Sequence, residues 1–331
     1  MSLQFIMGNS GSGKSYCLYD TVVREAIENP DKNYLVIVPE QFTMQTQKDL
    51  CLAHPKGGIM NIDVLSFGRL AYRVFEEVGQ DARVVLDDEG KNLVLRKIAG
   101  ECEKDLKVFK GNLKKQGYIS EVKSVLSEFA QYGVDFERLD DFMKEVPPES
   151  YLHYKLDDIR TIYEKFEEYL SEKYITKEEM LDVLSDAVPY SDILKGSVVA
   201  MDGFTGFTPV QNRLIGELFS VCEKVMITVT MDGRENPYVY EHPYQIFALG
   251  KQMVTSLMKI AGEKKTEIEE PICLFERPVY RFRDCSEMAF LETELFRYSG
   301  AKYNGSCESV SLHEVRSPGK EAKYVAESIR R

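Results

Sequence analysis

A glycine-rich loop near the start of the chain limits the possible folds more than any other feature of the sequence. It follows a short apolar stretch, residues 3–7, and precedes a segment, residues 16–27, that has the pattern of a helix. Residues 34–38 then form an uninterrupted apolar run, as expected for a strand that is buried on both faces of a sheet. A strand, a helix and a second strand in this order predict a βαβ unit and hence a parallel sheet.

The loop has the spacing Gly-x-x-x-x-Gly-Lys-Ser, and each fixed position has a mechanical reason. Gly8 and Gly13 permit backbone angles and close approaches that a side chain would block. Lys14 can reach terminal phosphates, the Ser15 hydroxyl can ligate Mg²⁺, and the following helix N-terminus adds positive potential. We therefore predict that the loop binds ATP with Mg²⁺; the alternative is a loop that keeps this shape and has lost its ligand. The predicted binding residues are Gly8, Asn9, Ser10, Gly11, Ser12, Gly13, Lys14 and Ser15.

A second buried strand, predicted over residues 197–201, ends in an acidic residue. Asp202 stands where ATPases with such a loop hold Mg²⁺, and we predict it as a metal partner and, with Lys14, as a catalytic group. The alternative is an aspartate that starts a turn with Gly203. In many motor ATPases the next residue is a glutamate that activates the attacking water. Because Gly203 cannot accept a proton, we predict slow hydrolysis.

The middle of the chain changes from strand-like to helical patterns. Between residues 87 and 188 the helical period dominates, and the apolar residues within 152–170 alternate steps of four and three. A capping-box pattern from Thr176 to Glu179 opens another helix. Core packing is the plain interpretation of these apolar stripes. The sequence thus predicts an all-helical insertion in a sheet that resumes near Ser197.

The predicted fold class is α/β, with a parallel sheet interrupted by this insertion. We divide the chain into residues 1–86, the first part of the α/β domain, residues 87–188, the insertion, and residues 189–331, the second part. Further strands are predicted over residues 61–65, 225–230 and 309–313. The chain stops inside a helical pattern without a stop signal, so we expect a fragment of a longer protein.

Composition excludes several classes of protein. The net charge of −12 argues against a protein that coats nucleic acid through its global charge, although a local basic groove is compatible with it. The seven cysteines form no Cys-x-x-Cys pair, which favours reduced thiols in a cytoplasmic protein over a zinc site or disulfides. No apolar run has the length of a membrane span.

Four segments together resemble the N-terminal region of the AddB family, the B subunits of AddAB helicase–nucleases, and are distantly similar to superfamily 1 helicases of the UvrD type. They are residues 8–15, Val-Pro-Glu-Gln-Phe-Thr at 38–43, residues 64–71, and residues 201–211, which include Asp-Gly-Phe-Thr-Gly-Phe. This resemblance implies a helicase-like P-loop NTPase fold with a helical insertion. It also implies an AddA-like partner subunit, action on double-strand ends and single strands of DNA, and a role in repair by recombination.

The resemblance carries over to individual positions. Gln211 matches the glutamine that ends the second acidic motif of true helicases, and we place it with the nucleotide-binding residues. Residues 66–69 match a segment that meets single-stranded DNA in helicases, and aromatic side chains beside such a groove can stack on bases. The predicted DNA contacts are Phe42, Ser66, Phe67, Arg69, Phe204 and Phe207. For these residues, packing in the core or on the surface is the alternative.

The sequence also departs from the pattern of active motors. Residues 225–232 occupy the place of the third helicase motif and lack its Gly-Asp-x-x-Gln pattern. The resemblance implies that the second motor domain is not part of residues 1–331, and that the nuclease domain and iron–sulfur cluster of the family lie beyond residue 331. We therefore expect an ATP-binding, DNA-contacting part of a larger machine. A nucleoside or small-molecule kinase, for which no arginine-rich lid is visible, and a DNA-binding scaffold with a vestigial loop are the alternatives.

Overall fold

The computed structural model describes residues 1–79, 83–112, 115–171 and 173–330. Within these ranges the strands are β1 (Ser2–Gly8), β2 (Tyr34–Ile37), β3 (Ile62–Leu65), β4 (Val84–Leu86), β5 (Tyr174–Thr176), β6 (Val198–Met201), β7 (Lys224–Thr230), β8 (Glu267–Ile268) and β9 (Ile272–Leu274). The α-helices are α1 (Lys14–Glu28), α2 (Thr43–Ala53), α3 (Phe67–Val78), α4 (Asp88–Cys102), α5 (Gln116–Tyr132), α6 (Phe136–Glu145), α7 (Tyr151–Leu170), α8 (Lys177–Ala187), α9 (Pro209–Val221), α10 (Ala248–Lys264), α11 (Ser286–Glu294) and α12 (Pro318–Arg330). Short 3₁₀ helices cover Glu40–Phe42, Val188–Tyr190 and Tyr280–Phe282.

The main sheet of the described residues has seven strands, and every strand pair in it is parallel. Its order is β3-β2-β6-β7-β1, and both β8 and β9 pair with the outer side of β1. The predicted strands at residues 3–7, 34–38, 61–65, 197–201 and 225–230 are confirmed by β1, β2, β3, β6 and β7. Strands β8 and β9 have only two and three residues, and no pattern in the sequence predicts them.

Alternate residues of each central strand enter two separate cores. Phe5 and Ile227 face a core that contains buried residues of α3, α8, α9 and α10. Ile6 and Met226 face a second core, which contains buried residues of α1 and α2. The parallel sheet is therefore covered by helices on both faces, as the uninterrupted apolar runs predicted.

Helices α4 to α7 pack around a hydrophobic core of their own, and we call them the helical unit. Helix α8 begins with the predicted capping box at Thr176, but its Met180 and Leu184 join the core of the α/β sheet. The prediction of an all-helical segment over residues 87–188 is wrong at β5, which pairs with β4. Three residues are too short for an alternating pattern to stand out in the sequence. The division into domains stays a prediction.

The predicted strand at residues 309–313 is also wrong, because this segment is exposed, irregular chain. A strand depends on a neighbour for its hydrogen bonds, and no described strand pairs with this segment. The helical pattern predicted at the end of the sequence is confirmed by α12. None of the helices within the described ranges combines the length and apolar character needed to cross a bilayer.

Candidate phosphate-binding site

The glycine-rich loop connects β1 to α1 at the carboxyl edge of the sheet. Gly11 and Gly13 have φ angles of +85° and +93°, and Gly13 is the N-cap of α1. At Gly8 a Cβ atom would collide with the Ser12 hydroxyl and would lie 2.8 Å from the carbonyl oxygen of Leu274 on β9. Close approach therefore requires glycine at position 8, and the backbone angle favours it at positions 11 and 13.

The ammonium group of Lys14 folds back over this loop. It donates hydrogen bonds to the carbonyl oxygens of Gly8 at 3.0 Å and Asn9 at 2.9 Å. Burial lowers the pKa of Lys14 to about 8; the charge of Asp202 opposes this shift, and that of Arg281 adds to it. The side chain is thus mostly charged at neutral pH, and it can exchange its two carbonyl partners for phosphate oxygens.

Three hydroxyl groups of the loop, those of Ser10, Ser12 and Ser15, have no hydrogen-bond partner among the described residues. The Ser12 Oγ atom is buried, whereas Ser10 and Ser15 are exposed. Buried polar groups in folded proteins nearly always have a partner, so an unsatisfied hydroxyl inside a glycine-rich loop indicates space for a polar ligand.

Asp202 follows β6 at the same edge, and β7 lies between β6 and β1. The carboxylate is only 7% exposed, and each of its oxygens accepts a hydrogen bond. Thr228 donates to Oδ1 at 2.6 Å, and Tyr19 of α1 donates to Oδ2 at 2.8 Å. Burial and then the charge of Asp202 raise the pKa of the Tyr19 phenol, so Tyr19 stays a neutral donor.

The chemistry of this edge fits a hard cation such as Mg²⁺, because the Ser15 hydroxyl and the Asp202 carboxylate offer oxygen donors. No cluster of three or more metal-ligating side chains occurs within the described ranges. Proteins usually bind Mg²⁺ through one or two side chains, while phosphates and water supply the other ligands.

A segment that the sequence analysis did not single out lies against the loop. Residues 272–297, which we call the strap, start as β9 beside the end of β1. The backbone N–H of Arg281 donates to the carbonyl oxygen of Gly11 at 3.1 Å. The amide of Asn9 donates to Glu292 at 2.7 Å. These partners are more than 260 residues apart in sequence, so no local pattern marked the strap.

Two arginines of the strap and one arginine beside it gather around Asp232, although no arginine-rich lid is visible in the sequence. Arg277 and Arg297 contact Asp232 at 2.6 and 2.8 Å, and Arg234 contacts the same carboxylate at 2.7 Å. Burial by itself would raise the pKa of Asp232. The hydrogen bonds from Arg234 and the charges of Arg277 and Arg234 outweigh burial, so the pKa of Asp232 lies below its usual range. Much of this positive charge is therefore neutralised within the protein.

Several predicted site residues make structural contacts. Ser66 caps α3 by accepting the N–H of Arg69 at 3.3 Å. The Gln211 side chain completes a capping box with Thr208, accepting its N–H at 3.0 Å. The Thr-x-x-Gln spacing is a known helix-start pattern, so the sequence held this signal too. A role for Ser66 or Gln211 in ligand binding stays a prediction.

The aromatic candidates fall into two groups. Phe67 is 7% exposed and packs against Phe204 and Phe207 with ring centroids 5.4 and 6.3 Å away. Phe42, in contrast, is 48% exposed on the short helix after β2. Arg69 is also exposed and pairs with Glu40 at 3.2 Å. Phe42 and Arg69 are therefore the exposed members of the predicted DNA set, whereas Phe204 and Phe207 are half-buried.

The fold and the site define an α/β protein with a glycine-rich loop and an acidic residue at the carboxyl edge of a parallel sheet, the edge at which open sheets of this class bind ligands. A comparison with protein families makes the assignment specific. The family described as "ADDB, N-terminal" matches residues 5–292, and the chain belongs to this family.

Curated relatives agree with this assignment. The chain is 42% identical over its whole length to a protein from Lachnoclostridium phytofermentans that is named as the B subunit of an ATP-dependent helicase/deoxyribonuclease. Proteins of the same name from Clostridium acetobutylicum and Thermoanaerobacter pseudethanolicus are 32% and 35% identical over 99% of the chain. The chain spans 28–29% of the length of these relatives.

Proposed function

We propose that this chain binds ATP with Mg²⁺ at residues 8–15 and hydrolyses it slowly, as part of an ATP-dependent helicase/deoxyribonuclease. One observation carries the proposal: a glycine-dependent loop between β1 and α1 surrounds the ammonium of Lys14, which is held by backbone carbonyls of that loop. Such a loop presents backbone N–H groups, a helix N-terminus and one mobile positive charge to a polyphosphate.

Different groups of the site would bind the phosphates and the Mg²⁺ ion. The amides of the loop and the first turn of α1 hold the inner phosphates, and Lys14 reaches the outer ones. Ser15 and Asp202 would hold Mg²⁺, which would neutralise charge on the phosphate oxygens. Ser12 gains a partner for its buried hydroxyl when a phosphate fills the loop.

Slow hydrolysis follows from the residue after Asp202. Gly203 carries no group that can orient a water molecule, and its φ of +78° strains any other residue at this position. A catalytic glutamate is therefore missing, and the backbone conformation disfavours one. This supports a nucleotide-holding role rather than that of an active motor.

The names of the relatives support a role in an ATP-dependent helicase/deoxyribonuclease, and the family resemblance supplies the finer role. We propose that the whole protein acts with an AddA-like subunit in the cytoplasm, on DNA ends and single strands, in double-strand-break repair by homologous recombination. Phe42 and Arg69, the exposed members of the predicted DNA set, would contact DNA. The exonuclease chemistry and iron–sulfur cluster implied by the resemblance would belong to parts of the protein outside residues 1–331.

The binding proposal is tested by titrating ATP·Mg²⁺ into the wild-type chain and into Lys14→Ala. We expect at least about a hundredfold loss of affinity, since the variant removes a charge-assisted contact in a partly buried site. Lys48→Ala is a matched control, because Lys48 is an exposed lysine of α2 outside the loop. Equal affinities for wild type and Lys14→Ala would refute nucleotide binding at the loop.

The arginines of the strap favour a second candidate, a nucleoside or small-molecule kinase. Kinases use cationic lids of this kind, but Arg277 and Arg297 already contact Asp232. Transfer of labelled phosphate from ATP to nucleosides separates the two functions. We expect no transfer; phosphorylation of a nucleoside would favour the kinase.

A further inference from the structure

The connection between α4 and α5 in the helical unit concentrates positive charge that the ATP site does not use. Residues 104–115 contain five lysines and one acidic residue, Asp105, a local charge of +4 in a chain whose net charge is −12. We call residues 104–112 of this connection the lysine loop; Lys114 lies outside the described residues. A short basic segment on an acidic chain provides a local surface suited to a polyanion.

The backbone of the lysine loop is fixed, although its lysines are exposed. Leu106 and Phe109 are buried in the core of the helical unit. The backbone N–H groups of residues 107–109 all donate to the buried carboxylate of Asp158 on α7. Exposed lysines at positions 104, 107 and 110 therefore stand on an anchored backbone. Such a loop loses little backbone entropy when its charges meet a rigid partner.

The charges of the lysine loop are only weakly engaged within the protein. Lys104 and Lys110 form no ion pair and no side-chain hydrogen bond with any described residue. Lys107 pairs with Asp157 at 2.8 Å, and both side chains are exposed, by 53% and 39%. Because exposed ion pairs contribute little free energy, Lys107 can exchange Asp157 for a phosphate oxygen. Three ammonium groups are thus available to a ligand.

The aromatic residues next to these lysines indicate which form of DNA the surface fits. The Lys107 ammonium lies over the ring of Tyr154, 5.1 Å from its centroid, and that of Lys115 lies over Tyr118 at 6.0 Å. Proteins that bind single strands use aromatic rings to stack on bases, and here ammonium groups cover these rings. Lysine contacts phosphates as a point charge and reads no base. The surface therefore fits the backbone of a duplex better than the bases of a single strand.

We propose that the lysine loop binds the phosphate backbone of duplex DNA through Lys104, Lys107 and Lys110, without reading its sequence. This inference rests on the proposed action of the protein on DNA, and it adds a contact surface on the helical unit to Phe42 and Arg69. It does not depend on the ATP site. Each lysine that neutralises a phosphate releases a bound counterion, so the salt dependence of binding reports the number of such contacts.

The test measures the affinity of the chain for duplex DNA over a series of salt concentrations, for wild type and for the triple variant Lys104→Gln, Lys107→Gln and Lys110→Gln. We expect the affinity to fall at least about tenfold at low salt, and the slope of log affinity against log salt to become shallower by about two to three. Two duplexes of unrelated sequence should lose the same factor, because phosphate contacts carry no sequence information.

Two further triple variants separate this contact from a change in net charge or in folding. The matched control makes the same substitution at exposed lysines elsewhere, Lys144→Gln, Lys195→Gln and Lys323→Gln, and should keep the wild-type slope. Arginine at positions 104, 107 and 110 keeps the charge, and we expect it to keep the wild-type slope as well.

Wild-type binding of duplex DNA with an unchanged affinity and slope in the glutamine variant refutes the lysine loop contact alone; a surface for an acidic protein would give this result. An equal loss in the control variant, or a loss confined to one DNA sequence, also overturns it. If the wild-type chain does not bind duplex DNA at all, the proposed action on DNA ends fails and the lysine loop contact fails with it.

Discussion

Asp158 in the helical unit and Asp202 at the sheet edge are both buried carboxylates, but different donors hold them. Asp158 is 1% exposed and accepts three backbone N–H groups from residues 107–109, at 2.7 to 2.8 Å. Among the described residues, the donors to Asp202 are two side-chain hydroxyls, those of Tyr19 and Thr228. Backbone donors cannot leave without unfolding their loop, whereas a hydroxyl can rotate away or be replaced by a cation.

This difference separates a structural carboxylate from one that can change partners. Through these three backbone hydrogen bonds, Asp158 attaches the loop at residues 107–109 to α7. Asp202 stands beside a glycine-rich loop, and its donors can be given up when a ligand arrives. A buried acidic residue by itself therefore does not identify a functional site; the kind of donor that surrounds it does.

The largest expected effect on the free energy of unfolding comes from removing the carboxylates of Asp158 and Asp202, one at a time. Asp158→Ala leaves three backbone N–H groups without their acceptor, and we expect a loss of about 3 kcal/mol or more in the free energy of unfolding. Asp202→Ala should cost about 1 kcal/mol, because its two hydroxyl donors can reorient toward other acceptors. Denaturant unfolding of both variants measures the difference. Equal losses would contradict the distinction between fixed and exchangeable donors.

A smaller effect on the free energy of unfolding is expected where the helical unit meets α8, a helix of the sheet core. Glu167 of α7 lies beside Glu179 of α8, and burial, then this neighbour, raises the pKa of Glu167 from 4.5 to about 7. The folded state therefore keeps a proton that the unfolded state releases, and the free energy of unfolding should fall as pH rises from about 4.5 through 7. A shift of this size corresponds to about 3 kcal/mol, and solvent screening of the partly exposed carboxyl group reduces the expected loss to about 2 kcal/mol.

Glu167→Gln should remove most of this pH dependence, because the amide stays neutral at every pH. Unfolding measured at a pH below and a pH above this window checks the prediction. Glu168→Gln, at an exposed position of the same helix, is the matched control and should keep the wild-type slope. A wild-type stability that rises across this window would contradict the assignment.

The sequence was sufficient for those parts of the fold and site that depend on local patterns. The loop at residues 8–15 and the central strands could be predicted because their spacing and apolar runs are contiguous. The Tyr19–Asp202 hydrogen bond spans 183 positions and the Asn9–Glu292 bond spans 283, so only the folded chain brings these partners together. Similarly, the very short strands β5, β8 and β9 depend on pairing with neighbours rather than on a pattern of their own.

The central claim is that this chain holds ATP and hydrolyses it poorly. The most direct measurement is the fraction of bound ATP that remains intact after long incubation of the wild-type chain with Mg²⁺, with and without single-stranded DNA. The absence of a carboxylate at Gly203 predicts turnover far below the roughly 1 s⁻¹ and above of typical enzymes, and no stimulation by DNA. Robust, DNA-stimulated hydrolysis by this chain would contradict that claim.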